Sequence, residues 1–484
     1  MSRIVLAKDP ASALKGAESA LLVASAATFK QKLPRLFSPK VSKLVGELVK
    51  ATKPGDHGSV ASTLTGGEPG RLWVGVIPDG GSRYTAPGRP DAVHKVVSSA
   101  GVGSDKRAAL FLWLADEAHL AGALGAVARA FPDYERKQTG THNRVSLVVL
   151  GPDGAPLKLS TEAKEHLHSV QAAARLVDTA PSDLHPEALA AEAQALLDGV
   201  AGVTIEVIVG DDLVAKGLGG IYGVGKAAAV APRMLVATYT PANPSGTHVA
   251  LVGKGVTFDT GGLHLKPRGA METMKCDMGG SAAVLGAFRV LARSKATNHT
   301  VSLVMCMAEN AIGPGSYKPD DILTLHSGKT VEINNTDAEG RLLLGDGVSY
   351  AARELKADVI IDAATLTGAQ MIATGSNHAA VMSNDGPLEA IAVQAGFISG
   401  DLVHPLPFAP EFYKPEFKSA VADMKNSVKN RANAQSSCAA QFVYNHIEDT
   451  RARWLHVDLA GPSFRNERGT GYGVGLIAEV VRRI

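Results

Sequence analysis

The 484-residue sequence has little cysteine, few aromatic residues (5%) and no dominant charge, and each shortage excludes something. Three cysteines, Cys276, Cys306 and Cys438, sit far apart, so they build neither a disulfide framework nor a zinc-finger ligand set. A reducing, cytoplasmic compartment suits such a chain best. Lys plus Arg (49) nearly cancels Asp plus Glu (47), leaving +2 and no dense basic run, which gives no pointer to nucleic acid or to a membrane surface. No segment approaches the ~18 apolar residues of a membrane span. The apolar run at 20–24 follows Lys8, Asp9, Pro10, Lys15 and Glu18, so it reads as a buried strand rather than a leader. HExxH and GxSxG are both missing, which removes the commonest zincin and serine-hydrolase chemistries, and the 15 histidines are scattered.

What remains is an ordinary globular composition, 45% hydrophobic and 20% charged, in a chain long enough for two domains. From residue 1 to about 158, strand-like runs such as "RLWVGVI" (71–77) and "RVSLVVLG" (144–151) alternate with alanine-rich runs of helical character such as 107–131, suggesting a smaller N-terminal α/β domain. Residues 160–178, opened by Ser160 and broken by "TAPSDLHP", read as a linker helix within 159–179. Beyond 180 the runs "TIEVIV" (204–209), "RMLVATY" (233–239), "HVALVG" (248–253), "VSLVMCM" (301–307), "DVIIDA" (358–363) and "WLHVDLA" (454–460) suit central strands of a mixed sheet with helices on both faces. Residues 180–484 are thus expected to form a second, larger α/β domain.

Acids gather at three places in that second half. "EINNTDAEGRLLLGDGV" (332–348) puts Asp337, Glu339 and Arg341 at every second position, just where apolar spacing at Leu343, Leu344, Val348, Ala351 and Leu355 announces a helix. Thr336 or Asp337 capping that helix is the plain explanation, but it leaves Arg341 near a positive helix end without an anionic partner. "KGVTFDTGGLHLKP" (254–267) places Lys254, Asp259 and Lys266 in a glycine-rich stretch after a strand, and Asp277 precedes a glycine pair and another helix. In open α/β sheets ligand chemistry gathers past the carboxyl ends of strands. Crowded carboxylates repel one another unless cations neutralise them, and two bridged divalent metals are the usual hydrolytic arrangement. Three unrelated helix caps remain the alternative.

"VGKGVTFDTGGLHLKP", "MKCDMGG" and "NTDAEGRLLLGDG", with "DAATLTGA" (362–369) and the terminal "GTGYGVGLIAEVV" in the same order, resemble the motif blocks of the leucyl aminopeptidase family, the M17 cytosolic aminopeptidases, over roughly 165–484. The resemblance implies a metal-dependent aminopeptidase with two divalent metal ions per subunit, Zn²⁺ or Mn²⁺. Their ligands would be Lys254, Asp259, Asp277 and Glu339 at one site, and Asp259, Asp337 and Glu339 at the other. It assigns Lys266 to the oxyanion and Arg341 to a bicarbonate that carries the proton. Met274, Asn335, Ala338, Thr365, Leu366, Gly368 and Ala460 would line the pocket for the first side chain, although Met274, Leu366 and Ala460 serve equally well as core. It further implies peptide substrates with a free N-terminus, leucine-like or broad in preference, a macro-like N-terminal domain and a homohexamer.

His264 stands where relatives commonly carry Ser or Asn, and Gly345 where alanine is usual. The imidazole is either of no consequence or tunes Lys266. "GIYGVGK" (220–226) fits GxxxxGK, but Ala227 replaces the Ser or Thr that holds magnesium, so nucleotide binding is not expected. Some bacterial members of the resembled family also bind DNA; residues 1–158 show no dense Lys/Arg stripe for that use.

Overall fold

Long apolar runs bounded by polar residues become the strands of two separate sheets. The computed structural model describes residues 2–138 and 143–484. Two compact units emerge, Met1–Gln171 with Gly396–Leu402, and Ala172–Ala395 with Val403–Ile484. The first is built on β1 (Ser2–Leu6), β2 (Ser19–Ser25), β3 (Ser59–Leu64), β4 (Arg71–Ile77), β5 (Arg107–Trp113) and β6 (Asn143–Leu150), in the order β1-β6-β5-β2-β4-β3. All pairs are parallel except β3 with β4.

The run 107–131, expected to be helical, divides instead into β5 and a helix over Leu120–Ala130. The reason is that β5 is an inner strand, buried on both faces from Ala108 to Trp113, and a continuous apolar run carries no period that tells strand from helix. The helix over Thr161–Asp178 forms as expected, and Ser160 Oγ caps it by accepting from Ala163 N at 3.1 Å.

The second unit holds β7 (Val203–Val209), β8 (Arg233–Tyr239), β9 (His248–Asp259), β10 (Thr300–Asn310), β11 (Ile322–Thr324), β12 (Thr330–Glu332), β13 (Val359–Ala364), β14 (Ala379–Ser383), β15 (Val403–Pro405), β16 (Met424–Lys425) and β17 (Arg453–Asp458). Eight of them form one mixed sheet, β15-β14-β17-β13-β9-β10-β8-β7, whose middle strands β17, β13, β9 and β10 run parallel. β11, β12 and β16 make a small separate sheet. Contrary to expectation β7 is an edge strand: Thr204, Ile205 and Glu206 are exposed, and of its seven residues Ile208 alone is buried. "GIYGVGK" is not a phosphate loop, because Gly219–Gly225 is itself a short helix that precedes β8 rather than following a strand. Among the described residues no helix is long and apolar enough to cross a membrane.

The glycine at 345 has a packing cause. A Cβ there would meet His446 Cδ2 and Leu325 Cδ2, both at 2.8 Å, and His446 is fully buried. A methyl group at this close approach forces the ring or the helix to move, so Gly345→Ala is expected to destabilise by about 1–3 kcal/mol. Thermal unfolding of the two proteins side by side measures it, and an unchanged Tm would show that the ring yields freely.

Candidate metal centre and active site

The central strand β9 delivers the first two groups. Lys254 and Asp259 are five residues apart, an odd separation that a regular pleat sends to opposite faces. Opposite them β10 is irregular: Ala308 pairs with Val256, but Asn310 pairs with Asp259, so β9 carries an extra residue there. That bulge resets the alternation and brings both side chains to one place. Both therefore belong to the strand, not to the glycine-rich loop expected from sequence; only Lys266 lies in the loop beyond it. Asp277 stands in the short 3-10 turn Met274–Met278, directly before the helix Gly279–Ser294. Asp337 and Glu339 occupy the turn entering the helix Gly340–Arg353.

The three acidic segments converge. Lys254 Nζ lies 2.7 Å from Asp277 Oδ1 and 2.9 Å from Glu339 Oε1, and donates to the Thr365 carbonyl at 2.9 Å. Lys266 Nζ lies 2.8 Å from Asp259 Oδ2 and 2.6 Å from Asp337 Oδ1. Gly340 makes room for this, since a Cβ at that position would sit 2.6 Å from Lys254 Nζ. Burial, and then the nearby Glu339 charge, lifts the Asp259 carboxyl to about 6. Burial also raises Asp277 well above the carboxylate range, against the pull of Lys254, and raises Asp337. Glu339 moves the other way: burial opposes its charge, but Lys254 and Lys266 hold it below its ordinary value. Burial works against both lysines, and the surrounding carboxylates outweigh it.

Capping does not account for these acids. Glu339 occupies the cap position of its helix and makes no side-chain capping bond, while the Thr336 hydroxyl is spent on the Gly261 carbonyl at 2.7 Å. Carboxylate oxygens of Asp259, Asp337 and Glu339 all lie within 4.8 Å of one another. Asp277 Oδ2 and Glu339 Oε2 are buried, with no hydrogen-bond partner among the described residues. A buried carboxylate oxygen with nothing to accept from is costly, and a cation is the partner its chemistry suits. The donor set, four carboxylates with one amine that coordinates only after losing its proton, fits divalent metal ions.

Arg341, largely buried beside this cluster, donates from Nη1 to the Asn426 carbonyl at 3.0 Å, while its buried Nε has no partner among the described residues. Burial pulls its pKa down to about 10, which still leaves it charged at neutral pH. A guanidinium held this way can take an anion.

Of the expected pocket residues, Thr365 and Asn335 bond directly to acid-bearing residues of the cluster. Thr365 follows β13, and its hydroxyl donates to Asp277 Oδ1 at 2.8 Å. Leu366 N and Ala460 N both donate to Asp458 Oδ1, at 3.1 and 3.3 Å, so one carboxylate ties the two segments together. Asn335 Oδ1 accepts from Asp337 N at 3.0 Å, and Ala338 is buried in the same turn. Gly368 opens the helix Gly368–Thr374 with nothing in the way of a Cβ, and Met274 begins the turn that carries Asp277. His264 has a definite partner: its backbone N donates to Thr336 Oγ1 at 2.8 Å, and Thr336 N donates to its Nδ1 at 3.1 Å, joining the β9 loop to the Asp337 turn.

Four residues of the site escaped sequence reasoning: Asn310, Tyr317, Asn426 and Asp458. Asn310 Nδ2 donates to Asp259 Oδ1 and to the Thr336 carbonyl, which also accepts from the Tyr317 hydroxyl at 2.6 Å. Isolated amides and hydroxyls have no spacing rule; the one available signal is that Asn310 ends a strand whose neighbour carries an acid.

Comparison with known proteins decides the family. Residues 171–478 match the model of the cytosol aminopeptidase family catalytic domain, and residues 44–140 match M17 aminopeptidase N-terminal domain 2. The chain belongs to the cytosol aminopeptidase family. A probable aminopeptidase of Mus musculus, NPEPL1, is 43% identical over 419 residues, covering 85% of this chain and 79% of that protein. Leucine aminopeptidase 1 of Caenorhabditis elegans is 40% identical over 413 residues, 84% of this chain and 82% of its own. The solved Trypanosoma brucei leucyl aminopeptidase in complex with bestatin superposes with a TM-score of 0.89 at 37% identity, covering 100% of this chain and 95% of that one. This member of the family is accordingly a hydrolase of the leucyl aminopeptidase type, a metallo-exopeptidase, with an N-terminal and a catalytic α/β domain. The acids close enough to share an ion, Asp259, Asp337 and Glu339, fall inside the stretch matched by the catalytic-domain model.

Proposed function

We propose that this chain removes the N-terminal residue, leucine-like or broad in range, from peptides with a free α-amine, using two divalent metal ions, zinc or manganese. The observation that carries the reading is the convergence of Asp259, Asp337 and Glu339 within 4.8 Å of one another at the carboxyl end of β9. Lys254, Asp259, Asp277 and Glu339 would hold one ion, and Asp259, Asp337 and Glu339 the other. Bound there, the pair supplies a water acidified toward neutrality, Lewis-acid polarisation of the scissile carbonyl and a docking point for the free amine.

The protein's own groups do the rest. Lys266, held beside Asp259 and Asp337, supplies fixed positive charge where the peptide oxygen becomes an oxyanion. Arg341 would hold a bicarbonate, which would supply a carrier for the proton between the attacking water and the leaving amine. Met274, Asn335, Ala338, Thr365, Leu366, Gly368 and Ala460 receive the first side chain. The same reading takes 1–158 as the N-terminal domain, 159–179 as the linker helix and 180–484 as the catalytic domain. It places a homohexamer in the cytoplasm, where the buried thiols of Cys276, Cys306 and Cys438 stay reduced.

Purified protein supplied with Mn²⁺ or Zn²⁺ is expected to release free amino acids from a panel of unblocked dipeptides. It should release none after chelation and none from the N-acetylated panel, because an acylated nitrogen is no metal ligand. Release from the acetylated peptides would overturn the exopeptidase assignment, and silence on every unblocked peptide would overturn the whole reading.

A further inference from the structure

The turn that carries Asp337 and Glu339 is held by a side chain far away in sequence. β12 pairs in parallel with β16, Val331 with Met424 and Glu332 with Lys425, and Asn426 N continues the ladder to the Glu332 carbonyl at 3.0 Å. There the two strands part, because 333–339 must turn to present its acids. The Asn426 side chain takes over the ladder's work. Its Oδ1 accepts from Asn334 N at 2.9 Å and Asn335 N at 3.1 Å, and its Nδ2 donates to the carbonyls of Asn335 at 2.6 Å and Ala338 at 3.3 Å. The Asn426 backbone carbonyl takes the Arg341 Nη1 bond at 3.0 Å. A primary amide is the one uncharged side chain that donates and accepts as a peptide group does, and this one is fully buried.

The turn has a second anchor at Thr336, whose carbonyl accepts from Asn310 and Tyr317. Asn310 also grips Asp259, so that anchor fixes the turn to the strand that carries the other acid. Between Thr336 and the helix, where Asp337 and Glu339 stand, the backbone is held at Ala338 by Asn426. Asn334 makes a separate link, accepting from Ser427 N at 2.9 Å and donating to the Ser427 carbonyl at 3.1 Å, and neither bond reaches past residue 334 on the turn.

We infer that Asn426 is a positioning residue: by fixing 334–338 and Arg341 from one point it sets the spacing between Asp337, Glu339 and Asp259, and with it metal affinity and turnover. The inference rests on the proposed two-metal aminopeptidase. Residues that orient metal ligands without touching the ion are worth about 10- to 100-fold in affinity or activity, and that is the range expected for Asn426→Ala.

The test uses full-length protein stripped with a chelator, titrated with Mn²⁺ by calorimetry, and then assayed for kcat and KM on an unblocked dipeptide at saturating Mn²⁺. Wild type, Asn426→Ala, Asn426→Ser and Asn334→Ala are compared, with metal-free thermal unfolding of each. Asn426→Ala should bind its weaker Mn²⁺ about 10- to 100-fold less tightly and lose kcat by a similar factor, with KM nearly unchanged. Asn334→Ala, which cuts side-chain bonds of the same kind beside the same turn, should lower the unfolding temperature without moving either quantity more than about threefold. Asn426→Ser leaves a hydroxyl for the stranded N–H groups but does not reach Ala338; should the alanine variant not fold, it is expected to show the same weakening. Wild-type affinity in the folded Asn426 variants overturns the inference. So does an equal loss in Asn334→Ala, which would mean general loosening. A wild-type protein that binds no Mn²⁺ overturns the two-metal reading instead.

Discussion

Glu339→Ala is expected to lose bound metal and to lose activity by about 10³-fold or more, equivalent to ~4 kcal/mol of barrier. The carboxylate sits between the two halves of the cluster. One oxygen lies 2.9 Å from Lys254 Nζ, the other is buried without a partner, and the acids nearest to it belong to both proposed sites. Both lysines hold it ionised against burial, so at neutral pH it enters the site already in the form that binds a cation. Truncation to alanine removes that charge and leaves Lys254 with Asp277 and the Thr365 carbonyl at short range. Glu339→Gln keeps the volume and removes only the charge; it should also lose metal, which separates charge from packing. Elemental analysis after gel filtration, measured beside kcat, reads both. Full metal content in Glu339→Ala would show that the other ligands suffice and that Glu339 is no bridge.

The acids were legible in the sequence because three acid-bearing segments recur beside strand ends and helix starts. What the sequence left open was whether Thr336 or Asp337 merely caps a helix; the cap position falls instead on Glu339, which makes no capping bond, and the Thr336 hydroxyl goes to the Gly261 carbonyl. The runs 71–77 and 233–239 coincide with β4 and β8 to the residue. The apolar run 248–253 covers only the first half of β9, because Lys254 and Asp259 look like the polar end of a strand. They are buried members of it, and local pattern fails where a polar group is kept inside for chemistry. β5 hides for the opposite reason, as an inner strand with no polar face to give it a period. Nothing marked Asn426. Its partners are backbone groups some 90 positions earlier, and a hydrogen bond to a carbonyl leaves no trace in the identity of the residue that owns it.

Arg341→Ala should keep its metal and lose rate. No metal-ligating role is proposed for the side chain; its Nη1 donates to the backbone carbonyl of Asn426, and among the described residues its buried Nε has no partner. Leaving a guanidinium nitrogen dry and unpaired is unfavourable unless an anion arrives to pair with it. The pKa, drawn down to about 10 by burial, keeps the group cationic throughout the neutral range, so it can hold an anion but cannot itself give up the proton that the leaving amine needs. On the proposed reading the proton would travel on an anion held by Arg341. General acid–base transfer of this kind is typically worth ~10²- to 10⁴-fold, and kcat is expected to fall by that order in Arg341→Ala. Metal content should match wild type, and KM should move far less than kcat. Bicarbonate added to a carbonate-free assay should raise the wild-type rate and leave the variant flat. A variant that keeps near wild-type kcat without bicarbonate would reduce the arginine to an electrostatic counterweight for Glu339. Loss of metal in the variant would instead make Arg341 part of the scaffold that Asn426 holds, because the bond between the two would then be what sets the ligands.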